Sequence, residues 1–206
     1  MSDYTKALEL IEKRYPRAPL YLVGTSFGAN YLTRYLIRHN RSSVKGFVAL
    51  ASPFDILDVV KRMGPVYQKF FVKRYIEETV KRHKIMQHWE DIWLVNLQDV
   101  YRAKNLWEFH ERITVKIVQE KDVYSLFQRY SIGGEVGQLK TPSLFMNATD
   151  DPIVSSVGIP AELKQNPNVT FMLTKSGGHV CWYEGISPKR WYPKPTINFL
   201  NKLRDR

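Results

Sequence analysis

Residues 21–30 read YLVGTSFGAN, where an apolar run meets a Gly-x-Ser-x-Gly turn and then a helical pattern. Leu20 to Val23 is short and apolar, as a strand buried in a parallel sheet requires. Ala29, Leu32 and Leu36 follow at i, i+3 and i+7, which is helical spacing. A serine between strand and helix, with glycine two residues to either side, has the signature of a nucleophile elbow. Such a turn strains the serine backbone, and small flanking residues keep side chains from colliding. It lifts the hydroxyl to the helix N-terminus, where the dipole and free N–H groups favour developing negative charge. The competing reading is a glycine-rich turn with an idle serine.

Outward from this passage, Tyr4, Leu8, Ile11 and Tyr15 mark an amphipathic helix over residues 3–15, ended by Pro16. Val44 to Ala51 reads as a second buried strand, closed by Pro53. The character then changes over residues 54–138, which are rich in aromatics, lysine and arginine. Val59, Met63, Val66 and Phe70 predict one helix there, with Tyr67, Phe71 and Tyr75 on a neighbouring stripe. A basic run, Lys81-Arg82-His83-Lys84, follows. Strand patterns return at Ser143–Asn147 and Val169–Thr174, with Leu163 in a helix between them and a last helix over residues 196–203. Strands alternating with helices predict an α/β fold with a mostly parallel sheet. The expected division is 1–53 and 139–206 for the core and 54–138 for a helical insertion.

The chain has 206 residues and 44% apolar composition, enough for one domain with a real core. No run approaches the roughly 18–20 apolar residues of a spanning helix. The polar start does not read as a signal peptide. A single cysteine, Cys181, permits no internal disulfide and suggests a reducing, cytoplasmic setting. Cys181 itself is expected to be a small buried residue. No CxxC pair or histidine cluster has ligand spacing, so no metal and no cofactor is expected. The net charge of +11 attracts anions, yet no nucleic-acid-binding motif is present. Lys69, Lys73, Arg74, Lys81, Arg82 and Lys84 beside the aromatic stretch suit an anionic lipid surface, and equally a solvated helix face.

A serine needs a base to become a nucleophile. Asn147-Ala148-Thr149-Asp150-Asp151-Pro152 follows one predicted strand, and Ser176-Gly177-Gly178-His179 follows another. Both loops leave C-terminal strand ends, where α/β sheets gather functional groups. His39, His83, His88 and His110 lie in helical or basic stretches and read as surface or structural residues.

In order, GTSFGAN, SPFD at 52–55, NATDDPIV and GGHVCWYEG resemble the α/β-hydrolase superfamily, and within it the esterase/lipase group of the embryogenesis-associated hydrolases. The resemblance spans residues 20–200. It implies Ser26 as nucleophile, His179 as general base and Asp151 as the residue orienting the histidine, with Asp150 the rival acid. The Phe27 N–H would be one oxyanion donor. The helical insertion would cap the site, with Tyr67, Phe70, Phe71, Trp89, Trp93, Trp107 and Phe109 either lining an apolar pocket or gluing the insertion together. The group departs here at Ala29, His110 and Cys181.

In that resemblance more strands precede the nucleophile strand, and a His-Gly loop among them gives the second oxyanion N–H. Neither stands upstream of Ser26, so the chain is expected to be N-terminally truncated, and an anchor upstream stays open. The nucleophile strand would become a sheet edge, a route to a homo-oligomer. One missing oxyanion donor costs on the order of 10²–10³ in rate. Three activities remain: hydrolysis of lipid or short-chain esters, an inactive truncated remnant, and acyl transfer to an alcohol. Acyl transfer ranks last because the His-x4-Asp pattern sometimes linked to it is absent.

Overall fold

The computed structural model describes residues 3–82, 90 and 92–205. His83, Lys84, His88 and Trp89 lie outside the described residues. The chain divides into two compact units, one of Met1–Phe54 with Ile132–Arg206 and one of Asp55–Ser131.

The first unit is an α/β layer structure. Helix α1 (Asp3–Arg14) leads to β1 (Leu20–Thr25), α2 (Phe27–His39) and β2 (Val44–Leu50). After the second unit come β3 (Ser143–Ala148), a short helix Ala161–Gln165, β4 (Val169–Thr174) and a C-terminal helix Pro193–Arg204. The four strands pair in parallel in the order β1-β2-β3-β4. The sheet is parallel, as expected from the alternating strands and helices, with β1 at one edge and Val23 of that strand 48% exposed.

Apolar runs make the central strands, since every residue of β3 and nearly every one of β2 is buried. Phe47, Phe54 and Phe145 form one cluster with Leu36, Ile132 and Leu163. Phe47 meets Phe145 edge-on at 5.9 Å. On the other face Val48, Leu50, Leu144 and Met146 pack with Trp182. A Cβ on Gly46 would stand 2.6 Å from Leu203 Cδ1, so glycine sets how closely the last helix approaches β2.

The second unit is helical. It holds α3 (Ile56–Arg62), α4 (Pro65–Lys81), α5 (Leu97–Tyr101), α6 (Leu106–Phe109), a π-helical turn His110–Thr114, α7 (Val115–Val118) and α8 (Val123–Tyr130). Four of its described helix starts are set by short polar side chains. Asp55, Asn96, Asn105 and Asp122 each accept a backbone N–H three residues on. The single helix expected over Val59 to Phe70 is in fact two. Pro65 disfavours helical geometry at Gly64 and takes the first position of α4, so Met63 turns extended and ends α3. Phe109 and Phe127 are buried beside Tyr75 and His110, so these rings hold the unit together. Tyr67 and Phe70 are exposed.

The two ends of this insertion meet. The Phe54 carbonyl accepts both the Ile132 N–H at 2.8 Å and the Gly133 N–H at 3.1 Å. One residue inside, the Ile56 N–H donates to Ser131 Oγ at 2.9 Å.

Candidate active site

Ser26 stands between β1 and α2 with φ 52° and ψ −127°, a left-handed conformation that costs a non-glycine residue energy. Its own N–H donates to the Leu50 carbonyl at 2.8 Å, and its carbonyl accepts from Ala29 and Asn30. These bonds hold the strained turn in place. The two flanking glycines are unequal. A Cβ on Gly24 would lie 2.6 Å from Ala29 Cα, whereas one on Gly28 would meet nothing within 4 Å. The steric need expected on both sides is therefore confined to Gly24, where the strand passes under the helix.

The loops after β3 and β4 bring the other groups. His179 Nε2 is 2.8 Å from Ser26 Oγ, and His179 Nδ1 is 2.8 Å from Asp151 Oδ2. The Asp151 side chain is fully buried and that of His179 is 16% exposed. Asp151 Oδ1 accepts from the Ile153 N–H at 2.8 Å and the Val154 N–H at 2.9 Å. With one oxygen held by the backbone, the other is free to fix the imidazole. A proton on Nδ1 facing that oxygen leaves the Nε2 lone pair directed at the serine hydroxyl. The neighbouring Asp150 has a different partner, because its Oδ1 accepts the Gly178 N–H at 2.8 Å. One aspartate thus contacts the histidine ring and the other ties down the loop before it. Phe27, the first residue of α2, has an N–H with no intrahelical acceptor, directly after Ser26.

The histidine loop is built around Trp182. Its indole Nε1–H donates to Thr174 Oγ1 at 2.8 Å, and its backbone N–H donates to the Gly177 carbonyl at 2.9 Å. A Cβ on Gly177 would stand 2.3 Å from the indole nitrogen, so only glycine fits there. Gly178, Val180 and Trp182 all have positive φ, which alternates the side chains around the turn. This corrects the expectation for Cys181. Trp182 takes the buried place, and Cys181 is exposed.

Two asparagines, quoted in the motifs but given no role from sequence, brace the end of β2. Asn30 Nδ2 donates to the Pro53 carbonyl at 2.9 Å and Asn147 Nδ2 to the Ser52 carbonyl at 3.3 Å. Both are buried. Among the other histidines, His39 packs on Tyr35 at 4.6 Å. His110 sits in the π-helical turn of the second unit with Nδ1 2.9 Å from Thr114 Oγ1, and burial pushes its pKa down to about 4. Among the described residues no group of His, Cys, Asp and Glu could hold a metal ion. No described helix is long and apolar enough to cross a membrane.

A family model described as "Serine aminopeptidase, S33" (Hydrolase_4) matches residues 1–185. The chain is similar to a monoacylglycerol lipase of Saccharomyces cerevisiae, 25% identical over 211 residues that cover 99% of this chain and 47% of that protein. It is also similar to embryogenesis-associated protein EMB8 of Picea glauca, 28% identical over 191 residues, with 89% and 41% covered. Among solved structures, an esterase of Pyrococcus furiosus superposes with a TM-score of 0.55 at 14% identity, over 98% of this chain and 60% of that one, a likeness of fold. The chain spans about half the length of the curated relatives it matches.

Proposed function

Since this chain belongs to the Hydrolase_4 family (serine aminopeptidase, S33) of the α/β-hydrolase superfamily, we propose that it is a serine hydrolase of lipid or short-chain carboxylic esters. The observation that carries the proposal is the chain of contacts from Ser26 Oγ through His179 to Asp151, each 2.8 Å long. The yeast relative's name, monoacylglycerol lipase, favours esters over peptides as the substrate class.

The reaction runs in two halves. Ser26 Oγ attacks the ester carbonyl carbon while His179 Nε2 takes the hydroxyl proton. Asp151 orients the ring and stabilises the imidazolium that forms. The negative charge gathers on the former carbonyl oxygen, and the Phe27 N–H at the helix start donates to it. Collapse breaks the carbon–oxygen bond to the alcohol, which leaves with the proton from His179. Water then attacks the acyl-serine, gives its proton to the same nitrogen, and the acid departs as Ser26 recovers its hydrogen. We assign the helical insertion the part of a cap that selects among esters, on its place in the sequence after β2.

A second reading has its own support. Among the described residues β1 is a sheet edge, with Val23 exposed. On that reading the chain is an inactive hydrolase-fold remnant whose serine takes no label. Labelling with a fluorophosphonate separates the two. The ester-hydrolase reading expects covalent labelling that is lost in Ser26→Ala; folded protein that takes no label would overturn it. Acyl transfer is distinguished by comparing transfer with hydrolysis at a fixed alcohol concentration.

A further inference from the structure

Helix α4 carries an outward stripe that the proposed chemistry does not use. Val66, Lys69, Phe70 and Lys73 follow i, i+3, i+4 and i+7, so they share one face. Val66 is 76% exposed and Phe70 61% exposed. The buried side of the helix runs through Val72 and Thr79. A single exposed apolar residue is ordinary, but two on one stripe between lysines form the pattern of a helix that lies in an interface.

The stripe borders a recess of about 580 Å³ within the helical unit. Val72, Ile76 and Ala103 supply its apolar lining, and Lys69, Lys73 and Lys104 its cations. The one acid there, Glu77, is 3.9 Å from Lys73, an exposed pair of little strength. Lysine is depleted in protein–protein interfaces, which prefer arginine and aromatics at their centres. It is well suited to an anionic headgroup layer, where a long stem stays in the apolar zone and the ammonium stays in water. The whole chain carries a net charge of +11, which adds long-range attraction of the same sign.

We propose that α4 docks the protein on a lipid bilayer rich in anionic headgroups, with Val66 and Phe70 inserted and Lys69, Lys73 and Lys104 on the phosphates. The proposal rests on the lipid-ester reading for its purpose, because an insoluble ester is met at a surface, but its test does not need turnover.

The test uses Ser26→Ala protein and sedimentation with phosphatidylcholine vesicles, with and without phosphatidylserine. Binding is expected chiefly to the phosphatidylserine vesicles and to fall with added salt. Each lysine near such a surface is worth about 1 kcal/mol, so K69E/K73E lowers the partition coefficient by roughly thirtyfold or more. Phe70→Asp lowers it by roughly tenfold or more. K189E/R190E removes the same charges from an exposed ribbon of the other unit and is expected to have a much smaller effect. Equal losses for the two charge reversals would mean that net charge alone attracts the bilayer, and would overturn the docking face. So would equal binding to both vesicle types, or full displacement by monomeric laurate, which would indicate a single-lipid groove instead. Circular dichroism confirms that each variant is folded. Hydrolysis of soluble p-nitrophenyl butyrate by the wild-type chain is scored separately. Its absence would count against the ester-hydrolase reading and leave the vesicle result standing.

Discussion

Asp151→Asn offers the sharpest test of how the candidate site works. The carboxylate takes three donors, the Ile153 and Val154 N–H groups on Oδ1 and His179 Nδ1 on Oδ2. An asparagine of the same shape has one oxygen and one NH2 group. The two backbone donors claim the oxygen, because turning the amide would set NH2 against two N–H groups at once. The NH2 then faces His179 Nδ1, which must become an acceptor, and the ring proton moves to Nε2. In that tautomer Nε2 donates toward Ser26 Oγ and cannot take its proton. A loss on the order of 10⁴ in reaction rate is expected for such a tautomer trap. That corresponds to about 5–6 kcal/mol of lost transition-state stabilisation. The fold is expected to survive, since the oxygen keeps both backbone bonds. The assay is the second-order rate constant of fluorophosphonate labelling, with thermal unfolding followed in parallel. Asp150→Asn serves as the control, because its remaining oxygen still accepts the Gly178 N–H. A rate that falls less than about tenfold in Asp151→Asn, with unfolding unchanged, would refute the tautomer argument.

Three further outcomes follow from the geometry. Gly24→Ala sets a methyl 2.6 Å from the Ala29 backbone and is expected to destabilise by about 1–3 kcal/mol or more, whereas Gly28→Ala meets nothing within 4 Å and is expected to be tolerated; urea midpoints compare them. Gly177→Ala collides with the Trp182 indole at 2.3 Å, so a similar loss of stability should come with slower labelling of Ser26, while Trp182→Phe should lose the bond to Thr174 and the packing of the larger ring. His110 is held neutral by burial, with its pKa lowered from 6.5 to about 4. The unfolded chain therefore binds a proton first as pH falls. This contribution is intact above about pH 6.5, is lost between there and pH 4, and totals about 3 kcal/mol. His110→Phe should flatten that acid limb in unfolding measured across the range.

What the sequence disclosed, and what it concealed, divides by the range of the interaction. The elbow is legible because strand, turn and helix signals stand next to one another around Ser26. The strands are legible because a parallel sheet buried on both faces demands continuous apolar runs, as in Ser143–Ala148. Asp150 and Asp151 differ by one position in the chain, and only the direction of each side chain separates a contact to an imidazole from a contact to a backbone N–H. The bracing by Asn30 and Asn147 depends on carbonyls at Pro53 and Ser52, partners that no local pattern names. Cys181 has the composition of a core residue, yet the positive φ of Val180 and Trp182 turns the neighbouring tryptophan inward and leaves the thiol outside. The break at Gly64-Pro65 is different, for its signal was present in the sequence. The apolar spacing from Val59 to Phe70 continued across it and masked it.

The Phe54 carbonyl that accepts from both Ile132 and Gly133 has a consequence for how such a chain can change. Its hydrogen bonds bring departure and return points of the Asp55–Ser131 excursion to a single peptide group, so the sheet sees the whole excursion as one short turn. Sequence can be added, trimmed or exchanged between those points without asking β2 and β3 to move apart. The unit that carries Ser26, Asp151 and His179 is in this sense a socket, and the helical unit is a replaceable part. A different insertion grafted between Phe54 and Ile132 is expected to leave the contacts among Ser26, His179 and Asp151 in place.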